Sequence, residues 1–260
     1  MTPPRVALFV TCLVDLHRPS IAFASISLLE AAGCTVEVPR AQTCCGQPAY
    51  NAGDRATARD LALGLLTAFS AYDYVVVPSG SCAGMLSRHL PSLFRDDPDL
   101  LPRAEALAAK THELTAFLVD ILHHTPTPPA LTTTATYHDS CAGLRELGIK
   151  TQPRQLLAAV PGLTLAEMPE PELCCGFGGI FCVKYSDIST KMADNKTAGL
   201  ETTEAQLLLG GDLGCLLHLA GRLSRQTTST SPQPRLRHIA EILAGTTATT
   251  PAIGQPPPCG

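Results

Sequence analysis

Eight of the 11 cysteines in this chain fall into two copies of one pattern: a lone Cys, then an adjacent Cys-Cys-Gly, then a final Cys. The two sets are Cys12, Cys44, Cys45 and Cys82, then Cys141, Cys174, Cys175 and Cys215. Thiolates are metal ligands. A buried free thiol is the ordinary explanation of an isolated cysteine, but it does not explain eight cysteines in a repeated register. The pattern therefore predicts metal binding by all eight.

Four thiolates that converge on one place suit two kinds of metal group. A structural zinc ion takes four ligands in a tetrahedron, and a [4Fe-4S] cluster takes one terminal sulfur on each iron. Adjacent cysteines such as Cys44 and Cys45 are poorly placed to hold one small ion together, whereas two irons of a cluster can take one each. We therefore expect up to two iron–sulfur clusters, of the [4Fe-4S] type, with zinc as the alternative.

Several residues near these cysteines are further candidates for a role at the site. Gly46 and Gly176 allow tight turns and let backbone N–H groups approach sulfur. The run from Gly176 to Gly179 lacks the frame of a phosphate-binding loop and is weak evidence for a nucleotide. Candidates for hydrogen bonding to sulfur or another direct role are His17, His138, His218, Asp139, Asp212 and Lys184. The cysteines that are not predicted to be ligands are Cys34, Cys182 and Cys259. No catalytic residue set is evident.

Short apolar runs precede the cysteines in the same order in both halves of the chain. The runs are 6–10, 35–39 and 72–78 in the first half and 135–139, 163–169 and 205–211 in the second. Segments of helical character lie around them, at 20–32, 56–71, 111–123, 152–160 and 187–200. Alternating strands and helices predict parallel βαβ units. The loops that follow parallel strands gather at one sheet edge, so each half collects its four cysteines there.

The fold class that follows is α/β, with two similar Rossmann-like parallel-sheet domains related by duplication. A Pro- and Thr-rich stretch near the midpoint has the composition of an extended linker. The predicted organisation is a first domain at 1–125, a linker at 126–134, a second domain at 135–245 and a flexible tail at 246–260.

Composition limits the partners and the compartment. The net charge is -4 and 45% of the residues are hydrophobic, so the chain lacks the excess of positive charge that binding to nucleic acid requires. The apolar run 6–10 is far shorter than the roughly 20 residues that span a bilayer, so no transmembrane segment is expected. We expect a cytoplasmic protein, and in that reducing compartment the cysteines indicate metal or redox chemistry more than disulfides.

These motifs resemble the cysteine-rich CCG-domain family, which includes the B subunit of heterodisulfide reductase and the iron–sulfur subunit of glycolate oxidase. The phrases at 5–15, 43–53, 174–189, 192–196 and 212–223 are similar to the lactate-utilization branch of that family. The resemblance implies one of three cooperating subunits that oxidise L-lactate to pyruvate, acting in electron transfer beside a ferredoxin-type iron–sulfur partner. It implies an oxidoreductase subunit rather than a self-sufficient enzyme.

The chain departs from the heterodisulfide reductase relatives at two positions. Those relatives end each motif with Cys-x-x-Cys and hold a non-cubane cluster with five thiolates, whereas Ser79 and Asp212 stand at the first of those positions here. Four thiolates suffice for a cubane cluster, and Ser79 or Asp212 is a candidate oxygen ligand. Two other functions stay open: a structural zinc-binding scaffold, and a thiol or disulfide reductase subunit of the heterodisulfide type.

Overall fold

The computed structural model describes residues 2–226 and 233–255, which form two four-stranded parallel sheets. The strands of the described residues are β1 (Arg5–Leu8), β2 (Thr35–Glu37), β3 (Tyr74–Val77), β4 (Thr111–Glu113), β5 (Thr133–His138), β6 (Leu163–Leu165), β7 (Leu207–Gly210) and β8 (Arg235–His238). The sheet orders are β2-β1-β3-β4 and β6-β5-β7-β8. Both sheets therefore have one topology, and the predicted α/β fold with two duplicated domains is confirmed.

Helices connect these strands in both domains. The α-helices of the described residues are α1 (Cys12–His17), α2 (Ser20–Ala31), α3 (Gln47–Ala52), α4 (Arg55–Ala68), α5 (Gly80–Gly84), α6 (Leu101–Ala109), α7 (Leu114–Ala116), α8 (Cys141–Leu147), α9 (Thr151–Ala158), α10 (Phe181–Lys184), α11 (Ser186–Glu201), α12 (Leu213–Leu223) and α13 (Ile239–Leu243). Met85–His89 and Phe117–Ile121 are π-helical, and Leu90–Phe94 and Thr246–Ala248 are 3-10 turns. None of the helices in the described part of the chain has the length and apolar character that a membrane span requires.

The six strands predicted before cysteines are all present, but the fourth strand of each sheet is not predicted from the sequence. The segment 111–123, predicted as a helix, begins as β4, and residues 236–243, which have an amphipathic pattern and for which no strand is predicted, divide into β8 and α13. Both strands are short and carry charged or polar side chains, with sequences THE and RLRH. A polar edge strand of three or four residues has little of the hydrophobic pattern that identifies a strand.

The strand order fixes where the cysteines can meet. In each sheet the chain crosses from a central strand to one edge, then returns to pair on the other side of that strand, as β1 pairs with both β2 and β3. In open parallel sheets, ligands bind beside such a point of reversal, outside the carboxyl ends of the strands. The first and last cysteines of each set follow β1 and β3, or β5 and β7, at this point.

The two domains share a hydrophobic core. One cluster of buried side chains contains residues from both domains, for example Val6 and Leu8 of β1 with Leu208 and Leu209 of β7. The alternate residues of β1 point to the opposite face, where Ala7 joins a second cluster confined almost entirely to the first domain. Because burial of apolar surface is the main stabilising contribution to folding, the shared cluster holds the two domains against each other.

Residues 123–132 form neither helix nor strand, and this segment includes most of the predicted linker. The first part of the predicted tail is packed: Ile253 pairs with Leu236 of β8 in an antiparallel bridge and is 4% exposed. The rest of that tail, 256–260, with Cys259, lies outside the described residues. The domain limits therefore stay a prediction from the sequence.

Candidate metal centres

In the first domain, two helix N-termini present the outer cysteines. Cys12 is the first residue of α1, whose N-cap Thr11 accepts a hydrogen bond from the Val14 N–H. Cys82 is the third residue of α5, and Ser79 is the N-cap, with its Oγ accepting from the Cys82 N–H at 3.4 Å. A helix N-terminus attracts negative charge, and both outer cysteines of the first domain lie at one.

The adjacent pair completes this set from the loop after β2. Cys44 Sγ lies 3.9 Å from Cys12 Sγ, and Cys45 Sγ lies 3.3 Å from Cys82 Sγ. Gly46 follows with φ of 84°, a left-handed conformation that turns the chain into α3. The structure thus brings the four predicted cysteines of the first domain together, each adjacent cysteine facing a different outer cysteine.

The second domain repeats this construction. Cys141 is the first residue of α8, whose N-cap Ser140 accepts from the Gly143 N–H at 3.3 Å. Cys215 is the third residue of α12, which has Asp212 as its N-cap. The two domains therefore place their outer cysteines at the same helix positions, first and third.

The adjacent pair of the second domain receives hydrogen bonds from the backbone. The Gly176 N–H donates to Cys174 Sγ at 3.4 Å, and the Phe177 N–H donates to Cys175 Sγ at 3.5 Å. A Cβ at Gly176, whose φ is 87°, would lie 2.5 Å from the carbonyl oxygen of Ser189. Glycine is thus required here both by conformation and by space, as the sequence indicates.

Hydrogen bonds among the sulfurs of each set move the pKa values of neighbouring cysteines in opposite directions. Hydrogen bonds from the thiols of Cys12 and Cys45 lower the pKa of Cys44 to about 2, and the hydrogen bond to Cys44 raises the pKa of Cys12. Cys174 is the matching thiolate of the second set, since hydrogen bonds from Cys141 and Cys175 lower its pKa to about 2. Without a cation, each set favours one thiolate; several thiolates so close together require a positive charge among them.

The donor sets fit a metal group. Metal binding requires deprotonated sulfur, and a cation at the centre of each set would offset the repulsion among four thiolates. Sulfur donors suit zinc and iron–sulfur clusters alike. Clustered cysteines therefore make each domain a candidate metal centre, while the assignment of the eight cysteines as ligands stays a prediction.

The second set also contains a histidine. His138, the last residue of β5, has a ring nitrogen that forms a compact group with Cys175 Sγ and Cys215 Sγ, all within 4.8 Å of one another. The residue is 1% exposed, and burial lowers its pKa to about 3, so the imidazole is neutral. This places one of the sequence candidates directly beside the sulfurs.

Ser79 and Asp212, which we considered as oxygen ligands, are directed to each other. Ser79 Oγ donates to Asp212 Oδ2 at 3.0 Å, and the Ser81 N–H donates to the same oxygen at 2.9 Å. The other carboxylate oxygen, Oδ1, accepts from the Gly214 N–H at 3.2 Å. The two residues therefore cap helices and join the two domains, and both carboxylate oxygens already have partners.

The other sequence candidates lie around the sites. Asp139 forms a bidentate ion pair with Arg154, at 2.9 Å for both hydrogen bonds. His218 Nε2 is 3.2 Å from Ser189 Oγ, and His17 is exposed at the end of α1. Lys184 ends α10 with an exposed side chain. None of these contacts reaches a cysteine sulfur.

The two described cysteines that were not predicted as ligands have other surroundings. Cys34 packs in the shared hydrophobic core, and the Cys182 thiol donates to the Gly179 carbonyl at 3.1 Å.

One residue of the second site is not identified by the sequence analysis. Lys196 of α11 is 2% exposed, and its Nζ donates to the Pro171 carbonyl at 2.6 Å. Burial lowers its pKa to about 8, opposed by the negative charge of Asp139 and of the site cysteines. A comparison of the two repeats could have singled out Lys196, because the matching position of the first domain, in α4, holds Leu65.

The two candidate centres approach each other through the helices that carry them. Helix α5, with Cys82, packs on α8, with Cys141, and α1, with Cys12, contacts α12, with Cys215. At the first crossing, a Cβ on Gly80 would lie 3.0 Å from the Cα of Gly143, so small residues bring the helices close. The contacts are related by the repeat, since each joins a first-cysteine helix to a last-cysteine helix.

Comparisons with known proteins agree with this architecture. The cysteine-rich CCG domain matches the chain twice, at residues 6–87 and 135–220. A crystal structure of a hypothetical protein from Helicobacter pylori has a TM-score of 0.67 at 12% identity, covering 98% of this chain and 52% of that one. The present chain thus corresponds to about half of that protein, and the likeness concerns the fold.

Two curated relatives are much more similar in sequence. Lactate utilization protein A of Geobacillus kaustophilus is 48% identical, and that of Bacillus cytotoxicus is 45% identical. Each alignment covers 92% of this chain and 98% of the relative. The chain therefore belongs to the lactate utilization protein A family of cysteine-rich CCG-domain proteins.

Proposed function

We propose that this chain is the iron–sulfur subunit of a complex that oxidises L-lactate to pyruvate, and that it serves in electron transfer. The observation that carries the proposal is the pair of four-cysteine sets, each gathered at the carboxyl edge of its own parallel sheet. The name of the relatives supports the role in lactate utilization. The eight cysteines are the proposed ligands, four to each [4Fe-4S] cluster.

When bound, such clusters accept and release single electrons at potentials set by their surroundings. The chain contributes the thiolates, the helix N-termini that favour them and the backbone N–H groups aimed at Cys174 and Cys175. The contact of α5 with α8 supports passage of electrons between the two centres, because it brings a ligand helix of one against a ligand helix of the other. The complex would be cytoplasmic.

Partner subunits are also part of the proposal, including a ferredoxin-type iron–sulfur protein. Large apolar side chains are exposed close to the ligand positions, including Leu16 on α1 and three residues shortly after Cys174 and Cys175. Those three are Val183, Tyr185 and Ile188, and Val183 is 74% exposed. Exposed apolar groups of this kind support docking of another protein.

Anaerobic purification followed by iron, zinc and sulfide analysis tests the proposal, together with electron paramagnetic resonance (EPR) spectra. The expected result is a brown protein with about four irons and four sulfides per occupied set. Cys182→Ser serves as a control, since that thiol contacts a backbone carbonyl, and it should keep the full content. A colourless protein that binds zinc and no iron under anaerobic reconstitution would favour the structural zinc scaffold.

Lactate oxidation requires its own measurement. The purified complex should reduce an artificial electron acceptor with L-lactate, and Cys45→Ser and Cys175→Ser should each stop that reaction. A complex that turns over lactate normally with these variants, while a disulfide-reducing activity is lost, would favour a thiol or disulfide reductase subunit instead.

A further inference from the structure

His138 is a buried imidazole with no explanation in the fold. It ends β5, is 1% exposed, and neither ring nitrogen has a hydrogen-bond partner among the described residues. Buried polar atoms in native structures are nearly always paired, and leaving one unpaired costs about 1–3 kcal/mol. A histidine that only filled space here would make the folded protein less stable than an apolar side chain would. A bound group that pairs with the imidazole is therefore indicated.

The position of the ring indicates what that partner is. Its ring nitrogen, Cys175 Sγ and Cys215 Sγ all lie within 4.8 Å of one another. Ligands of one metal ion have similar separations, since typical metal–sulfur and metal–nitrogen bonds are about 2.3 Å and about 2.0–2.1 Å. The nitrogen can therefore bind the same metal group as the two sulfurs.

The alternative donor at this site is already engaged. Asp212 stands close in sequence to Cys215, but both of its carboxylate oxygens accept hydrogen bonds, from Ser79, Ser81 and Gly214. His218 is likewise paired with Ser189. Among these polar side chains, His138 is the one whose donor atoms remain free.

The first domain lacks this donor. The residue three positions before Cys12 is Phe9, as His138 is three positions before Cys141. Phe9 is fully buried beside Phe69, with the ring centroids 5.7 Å apart, in the cluster that also contains Cys45 and Cys82. A phenylalanine fits this place in the fold, and it gives an apolar neighbour to the same pair of cysteines.

From these observations we propose that His138 is a protein ligand of the metal centre in the second domain, through a ring nitrogen. The second centre then has five protein donors, the ring nitrogen and four thiolates, which is one more than the four terminal ligands of an ordinary cubane cluster, whereas the first has four thiolates alone. The inference rests on the metal centre of the proposed function but does not depend on lactate as the substrate.

The test is pulsed EPR of the anaerobically reconstituted full chain, made once with natural histidine and once with ¹⁵N-histidine. A strongly coupled nitrogen is expected, and it should change with the ¹⁵N label. The signal should be absent in His138→Phe, the side chain that the first domain uses, and should persist in His218→Gln. Circular dichroism of the metal-free chains should show that His138→Phe keeps the fold.

Four results would overturn the proposal. A loaded centre without a strongly coupled nitrogen removes His138 as a ligand and leaves the proposed function in place. A strong coupling that survives in His138→Phe assigns the nitrogen to another residue. A weak coupling lost in His138→Phe makes His138 a hydrogen-bond donor to sulfur instead. A chain that binds no iron under any anaerobic condition overturns the proposed function as well, so iron analysis distinguishes the two failures.

Discussion

The two candidate centres have the same frame and different surroundings. In both, the first cysteine begins a helix capped by Thr11 or Ser140, and the last cysteine is the third residue of a helix capped by Ser79 or Asp212. The positions of the sulfurs are thus set by strand order and helix starts, which are equal in the two sheets.

The neighbours of the cysteines differ at two matching positions. Phe9 of the first domain corresponds to His138 of the second, each three residues before the first cysteine. Leu65 corresponds to Lys196. The carbonyl oxygen of Ala58 lies beside Gly46, as that of Ser189 lies beside Gly176, and Leu65 and Lys196 each follow seven residues later. The first site is therefore lined by apolar groups where the second has an imidazole and an ammonium group. The cysteines are thus placed by features that the two domains share, whereas the side chains around them come from positions at which the two domains differ.

Removal of one inner cysteine from each site gives the largest expected effect. Cys45→Ser should lose the metal of the first centre and keep that of the second, and Cys175→Ser should do the reverse, each leaving about half of the iron. Iron and sulfide analysis with EPR of both variants measures this. If either variant lost all the metal while remaining folded, the two centres would not be separate sites.

Two polar contacts between the domains also differ: Arg18 with Glu241, and Gln152 with Asp120. The Arg18 contact is expected to contribute more to the stability of the chain. The Arg18 guanidinium forms a buried bidentate pair with Glu241, at 2.8 Å and 3.1 Å, and Glu241 also accepts from Ser20. Breaking one half of a buried ion pair typically costs about 3–5 kcal/mol. Arg18→Ala should therefore lower the free energy of unfolding of the full chain by about this amount, as measured by urea denaturation.

The matched control for Arg18 lies where α9 packs near the helical segment 114–121. There Gln152 Nε2 donates to Asp120 Oδ2 at 2.7 Å, in an exposed position. Gln152→Ala should cost less than about 1 kcal/mol, because water replaces an exposed hydrogen bond. Equal losses in the two variants would show that the ion pair does not make one side of the interface stronger.

The helix caps Ser79 and Asp212 allow a closer comparison of the two domains. Asp212→Ala leaves Ser79 Oγ, Ser81 N–H and Gly214 N–H without their acceptor, so we expect a loss of about 2–3 kcal/mol. Ser79→Ala removes one cap and one donor, so we expect about 1 kcal/mol. Urea denaturation of both metal-free variants measures the difference. A Ser79→Ala loss equal to that of Asp212→Ala would contradict the shared role assigned to the carboxylate.

The sequence predicts the duplicated architecture well because the strands before the cysteines are apolar and strongly patterned. It predicts which cysteines meet, since the loops after parallel strands share one edge. It does not distinguish His138 from His17 or His218, because all three stand near one of the eight cysteines and only the tertiary packing decides which ring is buried without a partner. It misses β4 and β8, which are short and polar, and Lys196, which lies in α11, 21 residues past Cys175.

The smallest expected effect tests the charge difference between the centres. Lys196 is a buried cation near Cys175 and Cys215, and a positive charge favours the reduced, more negative form of a metal centre. Lys196→Leu, which copies Leu65 of the first domain, should lower the reduction potential of the second centre by on the order of tens of millivolts. Redox titration followed by EPR measures it in the loaded full chain.

Lys191→Leu provides the control for this last comparison. It removes the same charge from the same helix α11, but from an exposed side chain, where solvent and salt screen the interaction. The potential of the first centre should stay constant in both variants, because Lys196 belongs to the second domain. Equal shifts in Lys196→Leu and Lys191→Leu would mean that net charge, rather than the buried ammonium group, separates the potentials of the two centres.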